Sequence, residues 1–155
     1  MPRSSAGLLL FRRDRDGLRL LLAHPGGPAW KNRDVGAWTV PKGEIEADEQ
    51  PLDVAVREFR EEIGHPPPDG HYVPLGDVRQ KAGKVVSVWA VEGDLDPATA
   101  RSNTFPIRWP PRSDRWISVP EVDRVEWFDP VEARRRLNPA QVEFVDRLVA
   151  LLEDG

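Results

Sequence analysis

The sequence lacks cysteine altogether over its 155 residues. This absence excludes a disulfide framework, a thiolate zinc site and a cysteine nucleophile, and it suits a reducing compartment. Long hydrophobic runs are missing as well, since AGLLLF and LRLLLA are far shorter than the ~20 residues that span a bilayer. The leading MPRSS shows no signal-peptide pattern. We therefore expect a soluble, cytoplasmic protein with no membrane partner.

A positive net charge is the third absence. The chain has 22 lysines and arginines and 26 aspartates and glutamates, which give a formal net charge of −4. No overall positive field therefore exists to hold duplex nucleic acid. We expect no stable nucleic-acid partner, and any bound phosphate must be held by local groups. A length of 155 residues with 39% hydrophobic content predicts one globular domain over residues 1–155.

Short apolar runs predict several strands. Residues 5–13 and 18–24 read as buried strands joined by the turn-like DRDG, and AWTVPKG reads as a short strand that ends at Pro41. LGDVRQ, KVVSVWAVEGDL and RVEWFD are further strand candidates. Residues 96–118 look irregular, with one short strand expected over residues 105–109.

Three segments have helical spacing. Residues 52–63 place apolar side chains on one stripe, with Pro51 suited to the first turn and Gly64 to the C-terminal cap. Segments 130–137 and 139–154 each open with proline, so the chain is expected to end in helix. Strands with a central and a terminal helix predict an α/β or α+β sandwich. The stripe of the first helix consists of Leu52, Ala55, Val56, Phe59 and Ile63.

Glutamates crowd the end of that first helix. Glu58, Glu61 and Glu62 lie on a face adjoining the apolar stripe, where like charges cost ~0.2–0.5 kcal/mol per pair and oppose the helix dipole. One interpretation is a solvated face that Arg57 and Arg60 partly neutralise. The other is a hard-cation site, because oxygen-only ligands favour Mg²⁺ or Mn²⁺ over zinc.

The spacing around these glutamates decides between the two interpretations. The stretch from Gly43 through Glu49 to REFREEIG, which ends at Gly64, closely resembles the Nudix box of the Nudix hydrolases, G-x5-E-x7-R-E-U-x-E-E-x-G-U, where U is a bulky apolar residue. The one departure is His65 at the last position, which we interpret as a structural loop residue. The resemblance implies the family's fold, an α/β/α sandwich with a mixed β-sheet and a C-terminal helix.

The resemblance also implies roles for the box residues. Glu49 and Arg57 would form an ion pair that fixes the loop to the helix, and Gly64 would be structural. The implied cofactor is Mg²⁺, or Mn²⁺ in its place. The implied metal ligands are Glu58, Glu61, Glu62 and the carbonyl of Gly43.

The reaction implied by the resemblance is attack of water on phosphorus in a diphosphate linkage of a nucleoside diphosphate derivative. The candidate catalytic residues are Glu61, Glu62 and Glu121, with Glu62 and Glu121 as alternative bases. Glu121 is included because some family members take a glutamate from the loop before the late strand.

The substrate prediction comes from WTVPKGEIE, residues 38–46. It resembles the W-x-x-P-K-G-x-x-E stretch of diadenosine polyphosphate hydrolases, whereas mutator-type triphosphatases more often show P-G-G and ADP-ribose pyrophosphatases P-A-G. We therefore expect a dinucleoside polyphosphate such as diadenosine tetraphosphate. Candidate substrate-binding residues are Lys42, Lys84, Trp38 and His24, although a loop or core role for His24 and Trp38 stays open.

Two further segments, RQKAGK and RSNTFPIRWPPRSDRW, put cations beside aromatics that can hold phosphates and stack on a base. A basic solvated loop with tryptophans anchored in the core is the other interpretation.

Alternative functions are a house-cleaning (d)NTP pyrophosphohydrolase, an RNA 5′-end pyrophosphohydrolase and a non-catalytic nucleotide-sensing domain. Either a monomer or a homodimer is compatible with the sequence.

Overall fold

A computed structural model describes residues 3–154 of the chain. Its strands and helices form close to where the apolar periodicity predicts them. In chain order they are β1 (Ser4–Asp14), β2 (Gly17–Pro25), β3 (Lys42–Glu44), α1 (Pro51–Ile63), β4 (Val73–Arg79), β5 (Val85–Glu92), β6 (Thr104–Arg108), β7 (Trp116–Pro120), β8 (Val122–Phe128), α2 (Pro130–Arg136) and α3 (Val142–Asp154).

Strand β1 is the centre of the main sheet. It pairs antiparallel with β2 and parallel with β5, and the sheet order is β4-β5-β1-β2-β8, with the short β3 also paired to β1. Residues 5–11 of β1 are all buried, as expected for a strand covered on both faces. The sheet is therefore mixed, as predicted.

Helices cover both faces of this sheet. Because successive side chains of a strand point to opposite faces, Leu8 and Leu10 pack with Phe59 of α1, while Leu9 packs with Phe144 of α3. This arrangement is the predicted α/β/α sandwich, and α3 is its C-terminal helix. No helix among residues 3–154 is both long and apolar enough to cross a membrane.

Helix α1 is rotated about its axis relative to the predicted stripe. Leu52 and Val56 are only half-buried, and Val54 is buried in their place. The same rotation places Glu62 on the buried face of the helix.

Gly64 caps helix α1 in the left-handed region at φ +82°, where a Cβ would also lie 2.4 Å from the Arg101 carbonyl oxygen. The predicted C-terminal cap is therefore confirmed.

The strand predicted to end at Pro41 instead begins after it. Trp38 and Thr39 make only isolated bridges, and β3 pairs with β1 from Lys42 onward. Proline has no N–H to donate to a ladder, and here the Pro41 carbonyl accepts from the Leu8 N–H at 3.1 Å. Pro41 therefore joins the sheet only as an acceptor.

Residues 96–118 are less irregular than the sequence suggests. The expected short strand is present as β6, but it pairs with a second strand, β7, that the sequence analysis missed. The two form a separate antiparallel sheet outside the main one. Strand β7 has only five residues, and they follow the loop-like PPRSDR and end at Pro120, so the sequence does not mark it clearly as a strand. We refer to residues 104–120 as the arm.

Candidate active site

The C-terminal half of α1 brings two glutamates toward the start of β8. One carboxylate oxygen from each of Glu58, Glu62 and Glu121 lies within 4.8 Å of the other two. Glu58 and Glu62 are one helical turn apart and share a face of α1, whereas Glu121 lies between β7 and β8. We refer to these three side chains as the carboxylate cluster.

The box glycine makes room for this cluster. A Cβ added at Gly43 would lie 2.1 Å from the carboxyl carbon of Glu58, so any side chain there would displace Glu58. Glycine therefore lets the backbone of β3 approach the Glu58 carboxylate in its observed position. The Gly43 carbonyl stays a candidate ligand on this basis.

Glu121 is tied to the end of α1 through backbone hydrogen bonds. Its N–H donates to the Asn103 carbonyl at 3.0 Å, and the Asn103 N–H donates to the Glu61 carbonyl at 2.8 Å. On the other side, the Gly26 N–H donates to the Glu121 carbonyl at 3.0 Å. A Cβ at Gly26 would lie 2.0 Å from the Pro120 carbonyl oxygen, so this close approach also requires glycine.

The cluster is electrostatically unfavourable without a cation. Burial, followed by the charges of Glu58 and Glu121, raises the pKa of Glu62 to about 9, and the Lys42 ammonium opposes this rise. Burial and the charges of Glu61 and Glu121 also raise the pKa of Glu58. Glu62 is only 6% exposed, and its Oε2 has no hydrogen-bond partner. A buried carboxylate oxygen without a partner is costly.

These observations fit a divalent-cation site. The donors are all oxygen and all acidic, which suits magnesium or manganese rather than zinc. A cation held by the cluster would give the unpartnered Glu62 carboxylate a partner, and the Glu58 carboxylate lies close to the backbone of Gly43. The structure itself does not identify an ion.

Glu61 lies outside the carboxylate cluster. Its side chain is largely exposed, and its Oε1 lies 3.9 Å from the Arg57 Nε. Arg57 also hydrogen-bonds Glu49 and lies 3.5 Å from a Glu58 oxygen. The hydrogen bond from Arg57 holds the pKa of Glu49 below its usual value. The ion pair expected between Glu49 and Arg57 is thus present and reaches the cluster through Glu58.

One lysine that was expected to bind substrate, Lys42, lies next to the cluster. Lys42 is half-buried, and burial lowers the pKa of its ammonium group. The Glu62 carboxylate opposes this shift, whereas the positive charge of Lys84 reinforces it. The structure therefore places Lys42 near Glu62, and Lys84 near Lys42.

Trp38 and His24 occupy the core instead of a substrate surface. Trp38 is fully buried, with its Nε1–H donating to Asp34 at 2.7 Å. His24 is also buried, with Nδ1 2.7 Å from Asp123 and Nε2 2.6 Å from the Arg33 carbonyl. We expected both side chains to contact substrate, but their burial and saturated hydrogen bonds favour structural roles.

A cleft of about 410 Å³ opens beside the cluster. Glu62 lies on its wall, and residues 97–102 and β8 form its two sides. Its volume is within the range of small-molecule sites. Sequence reasoning did not single out the polar side chains of this cleft, because nothing distinguishes them from ordinary surface residues of a strand and a loop. They are Ser102, Asp123, Arg124 and Glu126.

Comparison with known proteins assigns the chain to a family. A model of the NUDIX domain matches residues 1–148, so the chain belongs to the Nudix family. An RNA pyrophosphohydrolase of Halorhodospira halophila is 40% identical over 62 residues, which are 36% of this chain and 34% of that protein. A Myxococcus xanthus octanoyltransferase is 33% identical over 102 residues, 66% of this chain and 25% of that protein. The matches thus span a quarter to a third of the length of these relatives.

Solved structures confirm the predicted fold. A C. elegans Ap4A hydrolase binary complex superposes with a TM-score of 0.71 at 18% identity, covering 97% of this chain and 99% of that one. The NUDIX domain of Shewanella oneidensis NrtR, complexed with ADP ribose, superposes with a TM-score of 0.67 at 17% identity, covering 98% of this chain and 89% of that one. At these identities the likeness concerns the fold.

Proposed function

We propose that this protein is a divalent-metal-dependent pyrophosphohydrolase that cleaves a diphosphate linkage in a nucleoside diphosphate derivative. The observation that carries the proposal is the convergence of Glu58, Glu62 and Glu121 within 4.8 Å, with Glu62 also lining a cleft of about 410 Å³. Membership of the Nudix family supports the same chemistry. Magnesium, or manganese in its place, is the cation that the all-oxygen donor set favours.

The chain's own residues account for the parts of a hydrolytic step. A water oxygen bonds to phosphorus, the bridging P–O bond breaks with its electron pair on the leaving phosphate oxygen, and the water proton passes to a carboxylate. Glu62 and Glu121 are the candidate acceptors of that proton. Lys42, beside the cluster, would hold a substrate phosphate as a point charge.

A cation bound by the carboxylate cluster would neutralise phosphate charge and lower the pKa of a bound water. Glu58, Glu62 and Glu121 would hold it, with the Gly43 carbonyl and Glu61 as further candidate ligands. Arg57 would keep Glu58 in place, because it bridges Glu49 and Glu58. Such positioning matters, since metal and catalytic groups must be held to within a few tenths of an ångström.

The substrate we propose is a dinucleoside polyphosphate such as diadenosine tetraphosphate. The support is the WTVPKGEIE stretch, of which Lys42 lies against the cluster, and the likeness in fold to an Ap4A hydrolase. A cytoplasmic location, one domain over residues 1–155, and a monomeric or homodimeric state stay predictions of the sequence.

A second candidate, RNA 5′-end pyrophosphohydrolysis, is favoured by one observation. Short regions of the chain are 40% and 42% identical to RNA pyrophosphohydrolases of Halorhodospira halophila and Gluconacetobacter diazotrophicus. A (d)NTP house-cleaning enzyme and a nucleotide sensor without turnover are the remaining alternatives.

One assay separates these candidates. The protein is incubated with Mg²⁺ and, separately, diadenosine tetraphosphate, 8-oxo-dGTP, dNTPs, ADP-ribose and 5′-triphosphorylated RNA, and products are identified by chromatography. Fastest turnover of diadenosine tetraphosphate supports the proposed substrate, whereas preference for another compound overturns it. Incorporation of labelled water locates the attacked phosphorus.

The role of the cluster is tested by Glu62→Gln. This variant should lose turnover by about 10³-fold or more while keeping its circular dichroism spectrum, because glutamine preserves shape but cannot ligate or accept a proton equally well. Glu153→Gln, at an exposed position near the end of α3, is the matched control. Near-normal turnover by Glu62→Gln would remove Glu62 from the mechanism.

A further inference from the structure

The arm, residues 104–120, is an exposed hairpin that the proposed hydrolytic step leaves without a role. Its two strands pair only with each other, from Thr104↔Pro120 to Arg108↔Trp116. Small two-stranded ribbons are marginally stable on their own. Exposed segments that project from a rigid scaffold are a common place for binding residues.

The exposed side chains of the arm are aromatic and cationic. Arg108 and Trp116 are opposite one another in the ladder, and the Arg108 guanidinium carbon lies 5.0 Å from the centroid of the Trp116 ring. Trp116 is 59% exposed, and Phe105 and Trp109 are also exposed. Aromatic faces beside arginine are the groups on which nucleobases stack.

The charge of the arm complements an anionic ligand. It contains three arginines and one aspartate, in a chain whose formal net charge is −4. The arm is thus locally positive on an otherwise acidic protein. This combination suits a ligand that has both a π-face and phosphates, and it disfavours a purely apolar partner.

The arm runs directly into the carboxylate cluster. Strand β7 ends at Pro120, and the next residue is Glu121. Glu121 follows Trp116 by five positions, which corresponds to at most about 17 Å of extended chain. A ligand whose phosphates lie at the glutamates therefore reaches Trp116 only if a further group extends from the phosphate chain along the arm.

We propose that the arm binds the second nucleoside of the substrate, the one that lies beyond the cleaved diphosphate. The inference rests on the proposed function, since it assumes that the polyphosphate lies at the carboxylate cluster. The base of this nucleoside stacks on Trp116, while Arg108 contacts the base and its neighbouring phosphate. The arm then selects dinucleoside polyphosphates over mononucleotides that offer the same phosphate chain.

The test compares diadenosine tetraphosphate with adenosine 5′-tetraphosphate, which has the same phosphate chain and no second nucleoside. Steady-state kcat and KM are measured for the wild-type protein, Trp116→Ala and Arg108→Ala. Each substitution should raise KM for the dinucleotide about tenfold, from the usual size of base stacking, and leave KM for adenosine 5′-tetraphosphate within about twofold.

Conservative and distant variants complete the design. Trp116→Phe keeps an aromatic face and should retain most of the dinucleotide preference. Arg135→Ala, an exposed arginine on α2, and Val131→Ala, an exposed apolar residue on the same helix, should leave both KM values unchanged. Circular dichroism checks that each variant is folded.

The outcomes separate the arm from the proposed function. If the wild-type protein hydrolyses diadenosine tetraphosphate but the arm variants affect both substrates equally, or neither, the arm proposal is wrong and the function stands. The arm proposal is also wrong if the arm variants lose turnover only of 5′-triphosphorylated RNA. It is likewise wrong if they change the oligomeric state in size-exclusion chromatography without altering the selectivity between the two nucleotides. If wild type hydrolyses neither nucleotide, the proposed dinucleoside polyphosphate substrate fails. Calorimetry then compares binding of diadenosine tetraphosphate to wild type and Trp116→Ala, and equal affinities or no binding overturn the arm proposal.

Discussion

The carboxylate cluster and the arm adjoin one another in the chain, but they are built in opposite ways. Glu62 is buried, and Glu121 is fixed by backbone hydrogen bonds to Asn103 and Gly26. In the arm, Trp116 is exposed on a ribbon that pairs only with itself. Chemistry at phosphorus needs groups in fixed positions, whereas recognition of a distant nucleoside tolerates an exposed surface. Under the two proposals, reaction and substrate choice would reside in separate parts of this protein.

The largest expected effect tests which glutamates belong to the fixed part. Glu121→Gln should lower kcat by about 10³-fold, because Glu121 lies in the cluster. Glu61→Gln should lower it by no more than about tenfold, since Glu61 is outside the cluster and exposed. Turnover of diadenosine tetraphosphate with Mg²⁺ measures both. The reverse order of effects would show that the resemblance to the family's ligand pattern identifies the ligands better than this geometry does.

Substituting a core tryptophan and a tryptophan of the arm should change the free energy of unfolding by very different amounts. Trp38→Ala removes a fully buried ring that packs edge-on against Phe128 at a centroid distance of 4.9 Å, so the free energy of unfolding should fall by about 3–5 kcal/mol. Trp116→Ala should change it by less than about 0.5 kcal/mol. Guanidinium unfolding followed by circular dichroism gives both values. A large loss for Trp116→Ala would mean that the arm is part of the core.

A smaller effect is expected from filling the space beside Glu58. Gly43→Ala places a methyl group 2.1 Å from the Glu58 carboxyl carbon, so Glu58 must move, and Mn²⁺ affinity should fall about 10–100-fold. Gly70→Ala is the matched control, because its Cβ would meet Val91 at an ordinary 3.5 Å. Calorimetric titration with Mn²⁺ measures the affinities. Equal affinities for the two variants would contradict the role given to Gly43.

The smallest expected effect concerns pH in the absence of metal. The pKa of Glu62 is raised from 4.5 to about 9, so the folded state retains a proton that the unfolded state loses. The stability contributed by this group is complete below about pH 4.5 and falls as the pH rises toward 9. With EDTA present, wild type should lose about 1 kcal/mol more than Glu62→Gln between pH 6 and pH 7. Identical pH profiles in urea unfolding experiments would contradict the burial of an unpaired carboxylate.

Much of the fold and part of the candidate site could be predicted from patterns of residues that are close together in the chain. The spacing from Gly43 to Gly64 predicts a loop and a helix whose cap the structure confirms, because helix period and capping are properties of neighbouring residues. Glu58, Glu62, Glu49 and Arg57 were identified from the resemblance to the Nudix box. Strand β7 was missed because its five residues follow the loop-like PPRSDR and end at Pro120, which favour a loop assignment.

The sequence by itself determined the helix that carries the box glutamates, the order of the elements and the mixed α/β class, since these depend on periodicity and on residues near one another in the chain. Only the tertiary structure decided that Val54 faces the core, that Glu62 is buried with it, and that Glu121 joins Glu58 while Glu61 stays outside. It also decided that His24 and Trp38 lie in the core. The physical reason is that the rotation of a helix about its axis, and the meeting of residues 60 positions apart, are set by packing across the whole domain.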